Sequence, residues 1–260
     1  MGKEFEEEFK DFLGDEFDWY YEELINDADI VSSRTNVEIV FCLDLTTTVT
    51  EQLKPFFESL FNNINDCLKH KNKLPLEKIK IKLVGFGDIK NNQNIKESRF
   101  FSLPDESNEL LNEIDKFTPE KILSGYVNAL NGLMSAMGSE WEPPLCITEK
   151  KRNIIVVITE NTTYTTEKSY IIENFETEEL FSLYEICDAW QGAGPLGYYD
   201  RLSDYRMDAI AKRLLLYTPD EFPWDDLLES LEYSIHRVLE KNECLNLEGM
   251  LKDIGSAISS

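Results

Sequence analysis

Short apolar runs alternate with longer amphipathic stretches along most of the chain. The runs at Val37–Leu43 and Asn153–Thr159 are rich in β-branched residues, as strands buried on both faces are. After the first run, Val49–Lys69 carries apolar residues at the spacing of one helix face. Strands that alternate with helices predict a parallel sheet with right-handed crossovers. We therefore expect an α/β fold with a doubly wound, mainly parallel sheet and helices on both faces.

The same patterns predict the remaining elements. We expect further strands at Ile79–Phe86 and Lys212–Tyr217, and a short edge strand at Arg99–Leu103. The helical spacing of apolar residues predicts five more helices, at Glu106–Phe117, Gly125–Met137, Thr177–Trp190, Trp224–Leu239 and Leu247–Ile258.

Residues 1–30 differ from the rest of the chain. Their aromatic and leucine side chains recur at helical spacing among many glutamates and aspartates. This composition predicts an acidic, aromatic arm over residues 1–30, ahead of a single domain over residues 31–260 that ends in a helical extension. The arm is expected either to pack on its own domain or to dock on another chain.

The formal net charge of −24 changes the range of plausible partners. Such a chain is repelled by phosphate backbones and anionic lipid, so we expect neither nucleic acid nor a membrane as a direct partner. The five cysteines are odd in number and form no CxxC motif, which favours reduced thiols. With no secretory signal pattern and no apolar run of membrane-spanning length, the sequence predicts a cytoplasmic protein.

Candidate chemistry follows the first strand, where the chain reads Asp44-Leu-Thr46-Thr-Thr48. Alternate positions of an extended segment point the same way, so these three oxygen-bearing side chains are expected to converge. Oxygen ligands suit Mg²⁺, Mn²⁺ or Ca²⁺. The alternative is a helix cap, in which Thr48 or Thr50 accepts backbone N–H groups of the next helix.

Two other segments add oxygen atoms where ligands of parallel sheets bind, beyond the carboxyl ends of the strands. Glu160 follows the predicted strand Asn153–Thr159, and Ser124 precedes a predicted helix. The complete pattern resembles the metal-ion-dependent adhesion site (MIDAS) of von Willebrand factor A (vWA) domains, with candidate ligands Asp44, Thr46, Thr48, Ser124 and Glu160.

Longer tracts are similar to a bacterial intracellular subgroup of vWA domains. They include Ser98–Pro104, Ser139–Trp141 and Arg206–Asp208 leading to Ala211–Tyr217. The resemblance implies a vWA or Rossmann-like fold and a non-catalytic module, in which a partner protein's acidic residue completes the coordination of a divalent cation. It also implies an association with stress-response or conflict systems.

The sequence departs from the family pattern in three places. Glu160 stands where an aspartate is usual, and threonines at 46 and 48 replace serines. The usual glycine-rich approach to the mid-chain hydroxyl is missing, so Thr118 or Glu120 is an alternative to Ser124.

Two other functions fit parts of the sequence. Asp44 at the end of the first strand also resembles the nucleophile of haloacid dehalogenase-like, Mg²⁺-dependent phosphohydrolases, but Thr46 stands where their second aspartate is expected. A metal-free interaction module is the other alternative, with binding by the acidic arm and the Gly192–Asp204 loop. The GxGxxG match at Gly192–Gly197 follows a predicted helix, whereas a dinucleotide site requires a preceding strand.

Overall fold

The computed structural model describes residues 35–46, 54–61, 76–91, 95–119, 122–142, 150–165, 180–191, 207, 210–241 and 245–259. The predicted arm and the Gly192–Asp204 loop lie outside these residues, as do the boundaries of the predicted domain.

A seven-stranded sheet forms the centre of the fold, in the order β3-β2-β1-β5-β6-β7, with β4 also paired to β2. Strands β1, β2, β5, β6 and β7 run parallel, whereas β3 and β4 are antiparallel to β2. The strand bounds are β1 Thr35–Asp44, β2 Leu76–Phe86, β3 Lys96–Glu97, β4 Phe101–Leu103, β5 Lys150–Ile158, β6 Lys212–Thr218 and β7 Ser234–Val238.

Helices cover both faces of the sheet. One face packs on α1, α2 and α6, and the other on α3, α4 and α5. A single turn of 3-10 helix, Ile89–Asn91, follows β2. The helix bounds are α1 at residues 54–61, α2 Ser107–Ile114, α3 Ala129–Met137, α4 Leu183–Gln191, α5 Trp224–Ser230 and α6 Leu247–Ser259.

Strand β1 shows why the segment Ile39–Leu43 is apolar at every position. Ile39 and Phe41 face α1, where Phe41 makes edge-on ring contacts with Phe56 and Phe57. Val40 and Cys42 point to the opposite face and pack with α3. Successive side chains of a strand alternate between faces, so a segment covered on both sides is apolar at consecutive positions. The predicted α/β fold with a doubly wound, mainly parallel sheet and helices on both faces is confirmed.

The predicted helix Trp224–Leu239 is confirmed from Trp224 to Ser230, but its predicted extension to Leu239 is wrong. Helix α5 ends at Ser230, Tyr233 adopts a positive φ of 61°, and the chain continues as β7. Strand β7 pairs parallel with β6, with Ile235 opposite Leu215. The backbone of β6 would otherwise be unpaired on that side, and pairing with it outweighs the helical spacing of this short segment.

Two predicted helices begin later than expected. Helix α3 begins at Ala129 because residues 122–128 form a loop that contributes to the candidate site. Helix α4 begins at Leu183, and Ser182 and Glu185 form a capping box at its start. There the Ser182 hydroxyl accepts the Glu185 N–H, and the Glu185 carboxylate accepts the Ser182 N–H and hydroxyl.

Helix α6 is fastened to the sheet by the largely buried Asp253. The Arg237 guanidinium of β7 donates two hydrogen bonds of 2.8 Å to the Asp253 carboxylate. The Tyr217 hydroxyl of β6 donates a third, at 3.0 Å. Three elements therefore meet at one carboxylate on the α6 face of the sheet.

Gly132 lets α3 approach the end of β2 closely. A Cβ atom at this position would lie 2.6 Å from Cδ1 of the buried Phe86 ring. Gly255 in α6 differs, since a Cβ atom there would meet no atom within 4 Å. Of the helices described, none has the length and apolar character needed to cross a bilayer.

Candidate cation site

Asp44 is the last residue of β1, and its side chain is fully buried. Its Oδ1 atom accepts the backbone N–H of Thr46 at 2.8 Å and the Thr46 hydroxyl at 2.6 Å. Residues 45 and 46 form a turn, so the extended loop expected after β1 is wrong at this point. Asp44 and Thr46 come together because the carboxylate folds the chain back on itself, as an Asx turn does.

The loop after β5 supplies the other contacts of Asp44. Register places Leu43 opposite Ile158, so the next residues, Asp44 and Thr159, leave the sheet side by side. The Thr159 hydroxyl donates to Asp44 Oδ2 at 2.6 Å. The Asn161 amide Nδ2 donates to Asp44 Oδ2 at 3.1 Å and to Thr46 Oγ1 at 2.9 Å. The ends of two central strands are thereby joined through one carboxylate.

The electrostatics of Asp44 are those of a buried acid surrounded by donors. Burial raises the pKa of the Asp44 carboxyl, and the hydrogen bonds from Thr159, Thr46 and Asn161 act in the opposite direction. From the described residues, each of the two carboxylate oxygens accepts two hydrogen bonds. A phosphatase nucleophile needs an oxygen that can reach a substrate phosphorus, and this geometry does not favour that role for Asp44.

Glu160 lies between Thr159 and Asn161, the two residues after β5 that contact Asp44. Its side chain is largely buried, with 8% of the residue exposed, which is unusual for a glutamate that follows a strand end. The structure thus places Glu160 on the same loop as Thr159 and Asn161. Thr48, four residues after Asp44, lies outside the described residues.

Ser124 lies on the 122–128 loop, where it is held by Asp88. The Asp88 Oδ2 atom accepts the N–H of Leu123 at 2.6 Å, the N–H of Ser124 at 2.6 Å and the Ser124 hydroxyl at 2.9 Å. Its Oδ1 atom accepts the N–H of Lys90 at 2.7 Å. Burial raises the pKa of the Asp88 carboxyl, but these hydrogen bonds outweigh it and leave the pKa below its usual range.

The 122–128 loop runs between the ends of β2 and β5. Val127 forms isolated bridges with Asp88 on one side and Thr163 on the other. The Asn128 side chain accepts the N–H of Gly87 at 3.0 Å, which adds a second link to the end of β2. The loop that carries Ser124 is therefore anchored at the same edge of the sheet as Asp44 and Glu160. Of the alternatives to Ser124, Thr118 is exposed, and Glu120 lies outside the described residues.

Three residues of this edge were not among the predicted ligands: Asp88, Thr159 and Asn161. The sequence does carry a signal for Asp88, because the acid follows the predicted strand Ile79–Phe86 by two positions. Asp88 thus has the same kind of position after a strand end as Glu160. Thr159 and Asn161 flank Glu160, but nothing in their residue type indicates that both donate to Asp44.

The donor chemistry of this edge suits a hard cation and no softer metal. Carboxylate and hydroxyl oxygens of Asp44, Thr46 and Ser124 are the atoms that Mg²⁺, Mn²⁺ and Ca²⁺ prefer. Within the part of the chain that the structure describes, no three or more His, Cys, Asp or Glu side chains group as a metal site. A cation here would depend on hydroxyls as much as on carboxylates.

Comparison with known proteins gives only distant similarities. No protein-family model matches the chain, and no curated protein matches it. Among solved structures, the pilus adhesin SpaC from Lactobacillus rhamnosus GG in an open conformation is 8% identical, with a TM-score of 0.47 over 86% of this chain. Proximal thread matrix protein 1 from the mussel byssus, with a zinc-occupied MIDAS motif, is 13% identical, with a TM-score of 0.41 over 88%. The chain spans 30% of the first protein and 46% of the second.

Proposed function

We propose that the protein is a non-enzymatic interaction module that binds an acidic side chain of a partner protein through a divalent cation. Mg²⁺ is the proposed ion, with Mn²⁺ and Ca²⁺ as alternatives of the same ligand preference. The residues proposed to hold it are Asp44, Thr46, Thr48, Ser124 and Glu160.

The observation that carries this proposal is the convergence of the loops after β1 and β5 on the buried Asp44 carboxylate. Burying a carboxylate is costly unless it is hydrogen-bonded or paired with a positive charge. Here a turn, a threonine and an asparagine are all arranged around it. These hydrogen bonds orient the Thr46 hydroxyl, and Glu160 lies on the neighbouring loop.

The residues have different tasks in this proposal. Asp44 accepts four hydrogen bonds from residues that the structure describes and holds the two loops together. The hydroxyls of Thr46, Thr48 and Ser124 would supply ligand oxygens, and Glu160 would act as a ligand or through water. When bound, the cation supplies a concentrated positive charge, which attracts an incoming carboxylate to a chain whose net charge is −24.

The sequence tracts that resemble the bacterial intracellular vWA subgroup support a cytoplasmic location and a role in stress-response or conflict systems. The cysteine chemistry is compatible with this assignment, since Cys42 is a buried free thiol and Cys187 is also free. A partner that offers an acidic residue within a basic surface would complement both the cation and the charge around it.

Calorimetric titration with Mg²⁺, Mn²⁺ and Ca²⁺ tests the cation site. The wild type should bind at least one of the three ions, and Thr46→Val should weaken binding by about tenfold or more, which corresponds to about 1.4 kcal/mol. Thr163→Val is the matched control, because Thr163 is a fully buried threonine on a nearby loop that is not proposed as a ligand. A wild type that binds none of the ions at millimolar concentration would favour a metal-free module.

A second titration tests recognition of the partner. A peptide with one central glutamate should bind the cation-loaded protein more tightly than the same peptide with glutamine at that position. EDTA should remove the difference. Equal binding of the two peptides would contradict recognition through a carboxylate.

A further inference from the structure

The side-chain amide of Asn161 contacts two of the oxygen atoms around which the proposed cation site is built. Its Nδ2 atom lies 3.1 Å from Asp44 Oδ2 and 2.9 Å from Thr46 Oγ1. One amide nitrogen carries two N–H donors, so a single group satisfies both oxygens. Asn161 is largely buried, with 8% of the residue exposed, and bulk water has little access to this contact.

The chemistry of its neighbours fixes which end of the Asn161 amide faces the site. The Thr46 hydroxyl donates its own proton to Asp44 Oδ1 at 2.6 Å, so Thr46 Oγ1 can only accept from Asn161. An ionised Asp44 carboxylate is also an acceptor. The opposite orientation of the amide would set its oxygen against two acceptors, and the N–H₂ end is therefore the one that faces Asp44 and Thr46.

Asn161 also uses part of the acceptor capacity of the site. A carboxylate has about four acceptor positions, and four hydrogen bonds from Thr46, Thr159 and Asn161 reach Asp44. Removing the Asn161 amide would release one acceptor position on Asp44 Oδ2 and one on Thr46 Oγ1. No other single side-chain group among the described residues donates to both of these atoms.

The backbone of Asn161 is held independently of its amide. Its N–H donates to the Thr159 hydroxyl at 3.0 Å. Rotation of the side chain alone would therefore withdraw the amide, while the loop after β5 keeps its hydrogen bond to Thr159 and, through that residue, to Asp44.

We propose that Asn161 is a built-in competitor of the cation: its amide satisfies Asp44 and Thr46 in the cation-free protein and must turn away before these oxygens can face an ion. This inference rests on the proposed cation-binding function. The contact of the Asn161 amide would make the fold of the site independent of the ion. Competition between the amide and the ion would set the ion concentration at which the site responds. The observed affinity is the intrinsic affinity multiplied by the fraction of molecules in which the amide has withdrawn.

The test compares Asn161→Ala with the wild type by calorimetry with Mn²⁺, Mg²⁺ and Ca²⁺ and by thermal unfolding in EDTA. Asn153→Ala is the matched control, because Asn153 is a buried asparagine whose amide donates to the buried carboxylate of Glu38 at 3.1 Å, near the start of β5. In EDTA, both variants should melt about 2–8 °C below the wild type. In Mn²⁺, Asn161→Ala should bind about tenfold or more tightly than the wild type and recover its melting temperature, whereas Asn153→Ala should do neither.

The possible outcomes separate this inference from the proposed function. If the wild type binds Mn²⁺ and Asn161→Ala binds it no more tightly, the competition is refuted and the cation site stands. If neither protein binds Mn²⁺, Mg²⁺ or Ca²⁺ in this titration, both ideas are refuted and the Asn161 contact is purely structural. Should Asn161→Ala fail to fold in EDTA, recovery of the folded protein with Mn²⁺ supports the competition, and continued unfolding with Mn²⁺ refutes it.

Discussion

The hydroxyl of Thr159 donates a hydrogen bond of 2.6 Å to Asp44 Oδ2 and joins the end of β5 to the end of β1. The Thr159 hydroxyl oxygen also accepts the backbone N–H of Asn161 at 3.0 Å. A single fully buried hydroxyl therefore connects a carboxylate on one strand with the backbone of the next loop.

Thr159→Val should lower the free energy of unfolding by about 1–3 kcal/mol, because a buried carboxylate and a backbone N–H each lose a partner. Urea unfolding measures the change. Thr163→Val provides the comparison, since the Thr163 hydroxyl is equally buried and has no hydrogen-bond partner within the described ranges. That variant should be neutral or slightly stabilised, and equal losses in the two variants would contradict the role given to Thr159.

Asp88→Ala should loosen the loop that carries Ser124. We expect a loss of about 1.5–3 kcal/mol, because several donors to a charged group lose their acceptor. Native-state hydrogen exchange should show faster exchange of the Leu123 and Ser124 amides, both of which donate to Asp88.

Asp115→Ala is the control for Asp88→Ala. Asp115 pairs with Lys54 at 3.0 Å on the surface, where both side chains are about half exposed. Exposed pairs contribute about 0–1 kcal/mol, so this variant should be close to the wild type in stability and in exchange of the 122–128 loop.

Gly132→Ala and Gly255→Ala should have opposite effects on stability. Alanine is favoured over glycine inside a helix by about 1 kcal/mol. At Gly255 the added methyl group meets no atom within 4 Å, so that gain should appear in full. At Gly132 the methyl group would lie 2.6 Å from the Phe86 ring, and the displacement of a buried ring should cost about 1–3 kcal/mol. Thermal unfolding of both variants decides the signs, and a stabilised Gly132→Ala would contradict the close packing of α3 on β2.

Asp253 should make stability depend on pH in the acid range. The Arg237 guanidinium holds the pKa of the Asp253 carboxyl below its usual range, burial opposes this, and the Tyr217 hydroxyl adds to it. A lowered pKa contributes stability that is present above the unfolded-state value of about 3.9 and is lost as pH falls through the folded-state value. The stability difference between wild type and Asp253→Asn should therefore be constant from neutral pH to about pH 5 and shrink below about pH 4.

Arg237→Met is the control for this pH dependence. Removing the guanidinium should bring the pKa of Asp253 back toward its usual value and reduce the acid-range dependence. A difference between wild type and Asp253→Asn that stays constant through the acid range would exclude the effect.

The sequence predicts best the strands that are apolar on both faces. The predicted run Val37–Leu43 lies within β1, and the run Asn153–Thr159 passes the end of β5 by one residue, but β5 also includes the polar residues Lys150–Arg152. These extend the hydrogen-bonded ladder with β1, where Thr35 lies opposite Lys150. Hydrophobicity does not detect such an extension, because it depends on backbone pairing. The same limit explains β7, whose strand conformation is decided by the neighbouring edge of β6.

The candidate site was predictable only in part for a related reason. Asp44 and Glu160 are acids at strand ends, and that position is readable from local sequence. The role of Asp88 arises from donors more than thirty positions away, at Leu123 and Ser124. The contact between Asn161 and Asp44 likewise spans 117 positions. Hydrogen bonds of this range are created by the fold and leave no pattern in the local sequence.

The loops of the candidate site follow β1, β2 and β5, and these three strands are each paired along both sides. Segments anchored in the middle of a sheet open at free energies closer to that of global unfolding than segments at its margin. Thermal fluctuations would therefore reshape the β7 and α6 margin long before they disturb the residues around Asp44. A ligand that arrives at Asp44 therefore meets a carboxylate whose described neighbours are already held in place, and little of its binding energy is spent on ordering them.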